Sequence, residues 1–260
     1  MTELTEKVKK DALKSGFPSE LVSESIFRKR NWSFSGNTYF IDQDENKGRE
    51  IDASVYKMIG GSQTKPEIFC WTMLSVEIKK SEKPWVIFTS ERARFFEKGF
   101  TCILSHTNKA PPKFSEDIID KYHPCYQLPR LGRTSQVAFS HDTATMFGSF
   151  ISSAKATLES FRQAEKHKEI YSDTSTDIVM YEPLVVVDGP LFECYLNENQ
   201  ELMTEQVNLL QYALHYASPN YKANTYMVNV VTLKYLDMYL AQNEQMLQQM
   251  HSKIASMRGA

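Results

Sequence analysis

Three residues on two neighbouring segments carry the most readily recognised chemistry. Asp52 lies in the run G-R-E-I-D-A, and Glu77 and Lys79 lie in L-S-V-E-I-K-K-S. Positions two apart on an extended strand share a face. Glu77 and Lys79 therefore project together, while Val76 and Ile78 pack on the other side. If the two segments pair as a hairpin, Asp52 comes to lie beside Glu77. Neighbouring carboxylates repel each other unless a cation neutralises them. A hard divalent ion such as Mg²⁺ (or Mn²⁺) prefers carboxylate oxygens and water. Such an ion lowers the pKa of a bound water and stabilises charge on a phosphoryl group. An ammonium alongside positions the attacking water or helps to deprotonate it. An acid on one strand and acid-x-lysine on the next thus form a minimal phosphodiester-hydrolysis site.

The elements that must hold these residues can be read from periodicity and turn signals. Residues 5–14 form a charged helix or a frayed arm, ended by Gly16-Phe17-Pro18. A helix follows, with Ser19 as N-cap and Leu21, Val22, Ser25, Ile26 and Phe27 roughly on one face. Residues 32–41 alternate aromatic and polar side chains around a Ser-Gly-Asn interruption and predict a bent strand. Residues 50–56 predict a second strand, with Ile51, Ala53 and Val55 on one side and Glu50, Asp52 and Ser54 on the other. A third at 69–79 is apolar enough to be central, and a Lys-Pro turn leads to a short fourth at 85–88. A helix at 91–98 and a strand at 101–105 precede residues 106–140, which carry most of the loop signals. A long helix over 143–168, capped by Ser140 or Asp142, comes next. Strands at 178–181, 184–187, 191–195 and 226–232 follow, with a turn at Asp188-Gly189-Pro190, and a helix over 234–257 ends the chain. The expected fold is α/β, a mixed central β-sheet flanked by helices with a long C-terminal helix. A single domain over residues 1–260 is expected, its core at about 16–200 and a C-terminal strand and helix at 220–260.

This order of helix, strand, G-R-E-I-D, loop and strand with E-x-K resembles the PD-(D/E)XK, or restriction-endonuclease-like, nuclease superfamily. The run V-E-I-K-K-S-E-K-P-W-V-I-F is similar to its archaeal-resolvase-like and Mrr-like bacterial members. The resemblance covers residues 16–90 in motif, and Y-E-P-L-V-V-V-D-G-P-L fits the closing strands loosely. It implies Asp52 and Glu77 as metal ligands with the main-chain carbonyl of Ile78 as a third. Lys79 becomes the water-orienting or general-base lysine, and Glu20 the acid of the preceding helix, with Glu24 one turn later as its rival. It also implies a Mg²⁺-dependent endonuclease acting on DNA. A nuclease-fold binding or scaffold subunit without turnover is the alternative. One departure concerns the sheet. Members often place a helix between the E-x-K strand and the next sheet strand, whereas here Lys83-Pro84-Trp85-Val86 follows almost at once. The helix over 143–168 then takes that place, with 184–187 as its strand.

Composition removes other classes. Lys plus Arg number 30 and Asp plus Glu 32 in 260 residues, a net charge of −2, so no global field draws the chain onto a polyanion. A local basic groove remains open, with Lys80 and Lys83 near the site and Lys113, Arg130 and Arg133 in the Pro-rich segment as candidate phosphate contacts. Hydrophobic residues at 42% exclude global disorder. The longest apolar runs fall far short of the roughly 20 residues that cross a bilayer, and residues 1–14 lack an apolar signal core. The expectation is a cytoplasmic chain with no membrane partner. Cys70, Cys102, Cys125 and Cys194 are scattered without C-x-x-C spacing, which argues against structural zinc. His123 and His141 have no ligand spacing and read as structural. No G-x-S-x-G, P-loop or H-E-x-x-H pattern occurs. The aromatic and methionine stripe of the last helix predicts packing, on the chain's own body or on a homodimeric or other partner subunit.

Overall fold

The structure, a computed structural model, describes residues 2–61, 67–92, 104–107, 115–140, 144–166, 175–221 and 225–258. Helices α1 (Glu3–Ala12) and α2 (Phe17–Lys29) lead into strands β1 (Ser33–Asp42), β2 (Lys47–Gly60) and β3 (Glu67–Lys80). Strands β4 (Trp85–Glu91) and β5 (Leu104–Thr107) follow, then helix α3 (Ser115–Tyr122), a 3₁₀ turn at Pro124–Gln127 and strand β6 (Arg130–Val137). Helix α4 (Ala144–Lys166) precedes β7 (Ser175–Asp188), β8 (Leu191–Leu196), β9 (Leu202–Val207), β10 (Leu209–His215) and β11 (Thr225–Thr232). Helix α5 (Leu236–Arg258) comes last. The described strands form one mixed sheet in the order β1-β2-β3-β7-β11-β10-β6-β4-β8-β9, with β5 beside β7.

The half that matters for the carboxylates is the meander β1-β2-β3 followed by β7. Strands β1 and β2, and β2 and β3, are antiparallel. Strand β7 runs parallel to β3 from Glu67↔Ser175 to Lys80↔Asp188. Helices cover both faces. Leu184 and Val186 of β7 point to one side, where Phe27 of α2 and Leu236, Tyr239 and Leu240 of α5 pack with Val76 and Ile78. Val185 and Val187 point to the other, against Met146, Phe150 and Ala154 of α4. This is the strict alternation expected of a strand buried on both faces. The apolar stripe of α5 lies on the chain's own sheet, since Tyr239, Leu240, Met246, Leu247 and Met250 are fully buried. No helix among the described residues is long and apolar enough to cross a membrane.

Several elements differ from their sequence reading. Helix α2 begins at Phe17 with Gly16 as its N-cap, because Pro18 fits the first turn. The hydroxyl of Ser19 caps nothing and donates to Asp188 Oδ2 at 2.5 Å. The buried face of α2 is Ser19, Ser23 and Phe27, whereas Leu21 and Val22 are exposed. Small serines at i and i+4 let the helix approach the sheet closely. Segments 178–181 and 184–187 are one strand, β7, despite Pro183. That proline falls between two successive partners on one edge, β5 over Ile178–Tyr181 and β11 over Leu184–Val187. A residue without an amide N–H is tolerated where the neighbour changes. The described part of residues 106–140 includes α3, the 3₁₀ turn and β6, so Arg130 and Arg133 lie on a strand. The predicted helix at 91–98 falls mostly outside the described residues, as do Lys113, His141, Cys102 and the Asp142 cap.

Strand β2 does not stay with β3. The β2–β3 pairing ends at Ala53↔Val76. On the other side, the β1–β2 register skips Asn37 opposite Asp52, where Asn37 takes a left-handed φ of 50°. Asparagine is among the few residues that adopt that conformation readily. Beyond this point the β1–β2 end curls onto α4, where Phe40 and Ile51 pack on Ala156. It is fastened there by Lys155, whose ammonium bonds Asp42 Oδ1 at 3.0 Å, Asp42 Oδ2 at 2.9 Å and Asp44 Oδ2 at 2.9 Å. Tyr216 and Tyr221 flank it at 4.9 and 5.4 Å. Burial alone favours neutral groups here, but hydrogen bonds from Ser218, Tyr216, Lys155 and Asn220 hold Asp44 well below the carboxylate range. Lys155 is 6% exposed and Asp42 4%. Removing one partner of a buried pair strands the other charge. Lys155→Met is expected to lower unfolding free energy by about 3 kcal/mol or more, measured by urea denaturation.

Candidate active site

The departure of β2 from β3 makes the site. With the ladder ended at Ala53, the Asp52 carboxylate turns in and takes over as acceptor. Its Oδ2 receives the backbone N–H of Ile78 at 2.7 Å and the Lys79 ammonium at 2.9 Å. Lys79 Nζ also pairs with Glu77 Oε2, so one ammonium bridges both acids. Glu77 and Lys79 share the α4 face of β3 because Val76 and Ile78 are committed to the core under α2 and α5. From α4, Ser152 hydrogen-bonds the Glu77 carboxyl. The Glu77 side chain is only 6% exposed, against 27% for Lys79 and 21% for Asp52. Solvent thus reaches the ammonium and one acid, while the other acid sits in the protein.

Electrostatics follow this burial. Desolvation pushes Glu77 above its ordinary value; the Lys79 charge opposes this and the Asp52 charge adds to it. Burial by itself depresses Lys79, but Glu77 and then Asp52 override it and hold the ammonium above its ordinary value. Glu20 on α2 is also raised, by burial first and then by the charge of Asp52, with Lys79 opposing and Glu50 adding. Glu20 is therefore the helix acid that feels the site. Its rival Glu24 is engaged by Arg28 at 2.6 Å.

The structure brings together Asp52, Glu77, Lys79 and the Ile78 main chain, with Glu20 within their field. Two further residues belong to the surroundings. Glu50 is two positions before Asp52, receives Asn37 Nδ2 at 2.7 Å and contributes to the Glu20 shift. Its i−2 spacing was a usable signal. Ser152 had none, since a lone serine in a helix has no motif. Among the candidate phosphate contacts, Lys80 Nζ donates to the Leu13 carbonyl, and Lys83 Nζ to that of Phe139 at 2.9 Å. Both are exposed at the end of β3. Arg130 and Arg133 are not brought here. Strand β6 lies four strands from β3, roughly 19 Å at about 4.8 Å per step. Arg130 is held bidentately by the buried Glu193 at 2.8 and 2.7 Å, and Arg133 Nε donates to Ser90 at 3.0 Å.

Asp188 ends β7 beside the site, taking the Ser19 hydroxyl. His123 is fully buried. Its Nδ1 accepts the Cys125 amide at 3.2 Å, which leaves the proton on Nε2, 2.9 Å from Glu182. Cys70, Cys125 and Cys194 are buried and in no disulfide among the described residues, and burial pushes the Cys70 thiol up to about 12. Among the described residues, no group of three or more His, Cys, Asp and Glu side chains gathers as a metal cage. The donor set at the β2–β3 split is all oxygen, and a cation, the Lys79 ammonium, already lies between its two carboxylates. That chemistry fits a hard divalent ion sharing the acids with Lys79. Comparison with protein-family models, curated proteins and solved structures finds no match to this chain.

An acid whose value is raised on folding keeps its proton longer in the native state, so native stability falls as pH rises from the ordinary carboxylate range through the raised value. Glu77→Gln removes that loss. Its stability relative to the native chain is expected to increase from about pH 4 towards neutrality, measured by urea denaturation at stepped pH. A relative decrease over this range means that Glu77 is not raised.

Proposed function

We propose that the chain is a metal-dependent endonuclease of the PD-(D/E)XK type, hydrolysing phosphodiester bonds in DNA. The observation that carries this reading is the Lys79 ammonium bridging Asp52 and Glu77 where β2 leaves β3. The order α2, antiparallel β1-β2-β3, then α4 and β7 parallel to β3, supports it as well. Asp52, Glu77 and the Ile78 carbonyl, with Glu20 nearby, would hold Mg²⁺ or Mn²⁺. When bound, such an ion supplies Lewis-acid stabilisation of phosphoryl charge and acidifies water.

The chain's own residues divide the remaining work. The Ile78 amide fixes Asp52 through Oδ2. Ser152 orients Glu77 from α4. Lys79, protonated and partly exposed, orients the attacking water and offsets charge that builds on the phosphoryl oxygens. Lys80 and Lys83, exposed just beyond the site, take the flanking phosphates as diffuse electrostatic contacts.

The test is cleavage of supercoiled plasmid with Mg²⁺, Mn²⁺ or EDTA. Nicking or linearisation that requires the metal is expected, reduced at least about a hundredfold by Asp52→Ala, Glu77→Ala or Lys79→Ala. Cleavage that persists in all three variants, or that EDTA leaves unchanged, overturns the assignment.

A further inference from the structure

Helix α5 covers two apolar clusters, and a layer of buried polar side chains separates them. Leu240 clusters with Leu74 and Leu184. Further along the helix, Met246 and Leu247 cluster with Cys70 and Met180. Asn243 falls between them on α5. Thr72 alternates with Cys70 and Leu74 on β3, and Glu182 with Met180 and Leu184 on β7, so both side chains face the helix. The register Thr72↔Met180 and Leu74↔Glu182 sets the two side by side on adjacent strands, at the level of Asn243.

Thr72, Glu182 and Asn243 are each 0% exposed. Each holds an oxygen with no hydrogen-bond partner among the described residues: Thr72 Oγ1, Glu182 Oε1 and Asn243 Oδ1. Asn243 Nδ2 donates to the Tyr239 carbonyl at 3.0 Å, which fixes Oδ1 as the unpartnered acceptor. The Asn243 side chain also reaches the Tyr239 hydroxyl, itself 3.4 Å from Glu182 Oε2. Unpartnered buried groups call for a ligand such as a water or an ion, and charge decides between these. The donors on Glu182 Oε2 are His123, Asn229 and Tyr239. All are neutral, because His123 Nδ1 accepts the Cys125 amide. Arg92 joins the network at a distance: it bonds Gln211, Gln211 bonds Asn229, and Asn229 bonds Glu182. A buried carboxylate among neutral donors is costly unless a cation accompanies it.

We propose that Thr72 Oγ1, Glu182 Oε1 and Asn243 Oδ1 bind a monovalent cation, Na⁺ or K⁺. Hard cations take oxygen ligands, and all three orphaned atoms are oxygens. One positive charge balances the single carboxylate, whereas a divalent ion leaves a net charge in the core. A water satisfies the three oxygens but leaves the carboxylate unbalanced. The site lies on the face of β3 opposite Glu77 and Lys79 and does not depend on the nuclease reading.

The experiment is thermal unfolding of the full chain, free of divalent ions, in sodium, potassium and choline chloride at equal ionic strength. Sodium or potassium is expected to raise Tm over choline by at least about 2 °C. Thr72→Val keeps the shape of the side chain and deletes one proposed ligand. It is expected to lower Tm in the favoured salt and not in choline. Loss of a hydroxyl that binds nothing would instead leave Tm equal or higher in every salt. Glu182→Gln is expected to abolish the difference between salts. The proposal is overturned if wild type melts alike in all three salts, as a water in the layer would have it. It is overturned equally if Thr72→Val keeps the wild-type difference between salts. None of these outcomes bears on plasmid cleavage.

Discussion

An ammonium between two carboxylates sets the relation of β2 to β3. Two unit charges about 4 Å apart interact by about 4 kcal/mol at an effective dielectric of about 20, so carboxylates placed side by side repel strongly unless a cation lies between them. Lys79 supplies it from the same face of the same strand as Glu77. The arrangement is paid for by the end of a ladder. Asp52 becomes the acceptor for Ile78 only because β2 has already turned away. The turn itself depends on Asn37 opposite Asp52, and on α4 receiving the curled β1–β2 end through Lys155, Phe40 and Ile51. Site and fold are therefore one construction, and Ser152 and Lys155, one helical turn apart, serve the two sides of it.

The other buried charges behave differently. Glu193 receives Arg130 and the Thr89 hydroxyl. The Lys155 cluster fills both oxygens of Asp42 and Asp44. These groups are locally complete, each carboxylate oxygen having a partner, which is what a structural ion pair needs in order to offset its desolvation. Glu182 is less complete. It is fully buried, and its Oε2 collects His123, Asn229 and Tyr239, while Oε1 has no partner. The carboxylates at the β2–β3 split differ again, being open on one side with a mobile type of cation between them.

Much of the site half was legible because it rests on alternation and short-range pairing. Ile51, Ala53 and Val55 against Asp52 and Ser54, and Val76 and Ile78 against Glu77 and Lys79, state their faces directly. The long helix before β7 also followed from pattern, whereas the pairing of β7 with β3 did not. The face of α2 did not, because exposed Leu21 and Val22 outweighed buried serines in a hydrophobicity count. Strands β9 and β10 were not read at all. All but the last residue of β9 is exposed, so it has no apolar side to detect. Tertiary partners decided the rest: Pro183 looks like a break until β5 and β11 are seen to meet there, and Arg130 looks free until Glu193 arrives from sixty-three residues away.

An open sheet has two edges, and each is a template on which another chain can add a strand. The left-handed kink at Asn37 has a second effect on this account. It interrupts the outer edge of β1 midway, leaving short runs on either side rather than one flat row of amides and carbonyls. The opposite edge, β9, is only six residues long and carries Glu205. The residue that helps to turn Asp52 into the site thus also makes the sheet a poor seed for edge-to-edge aggregation.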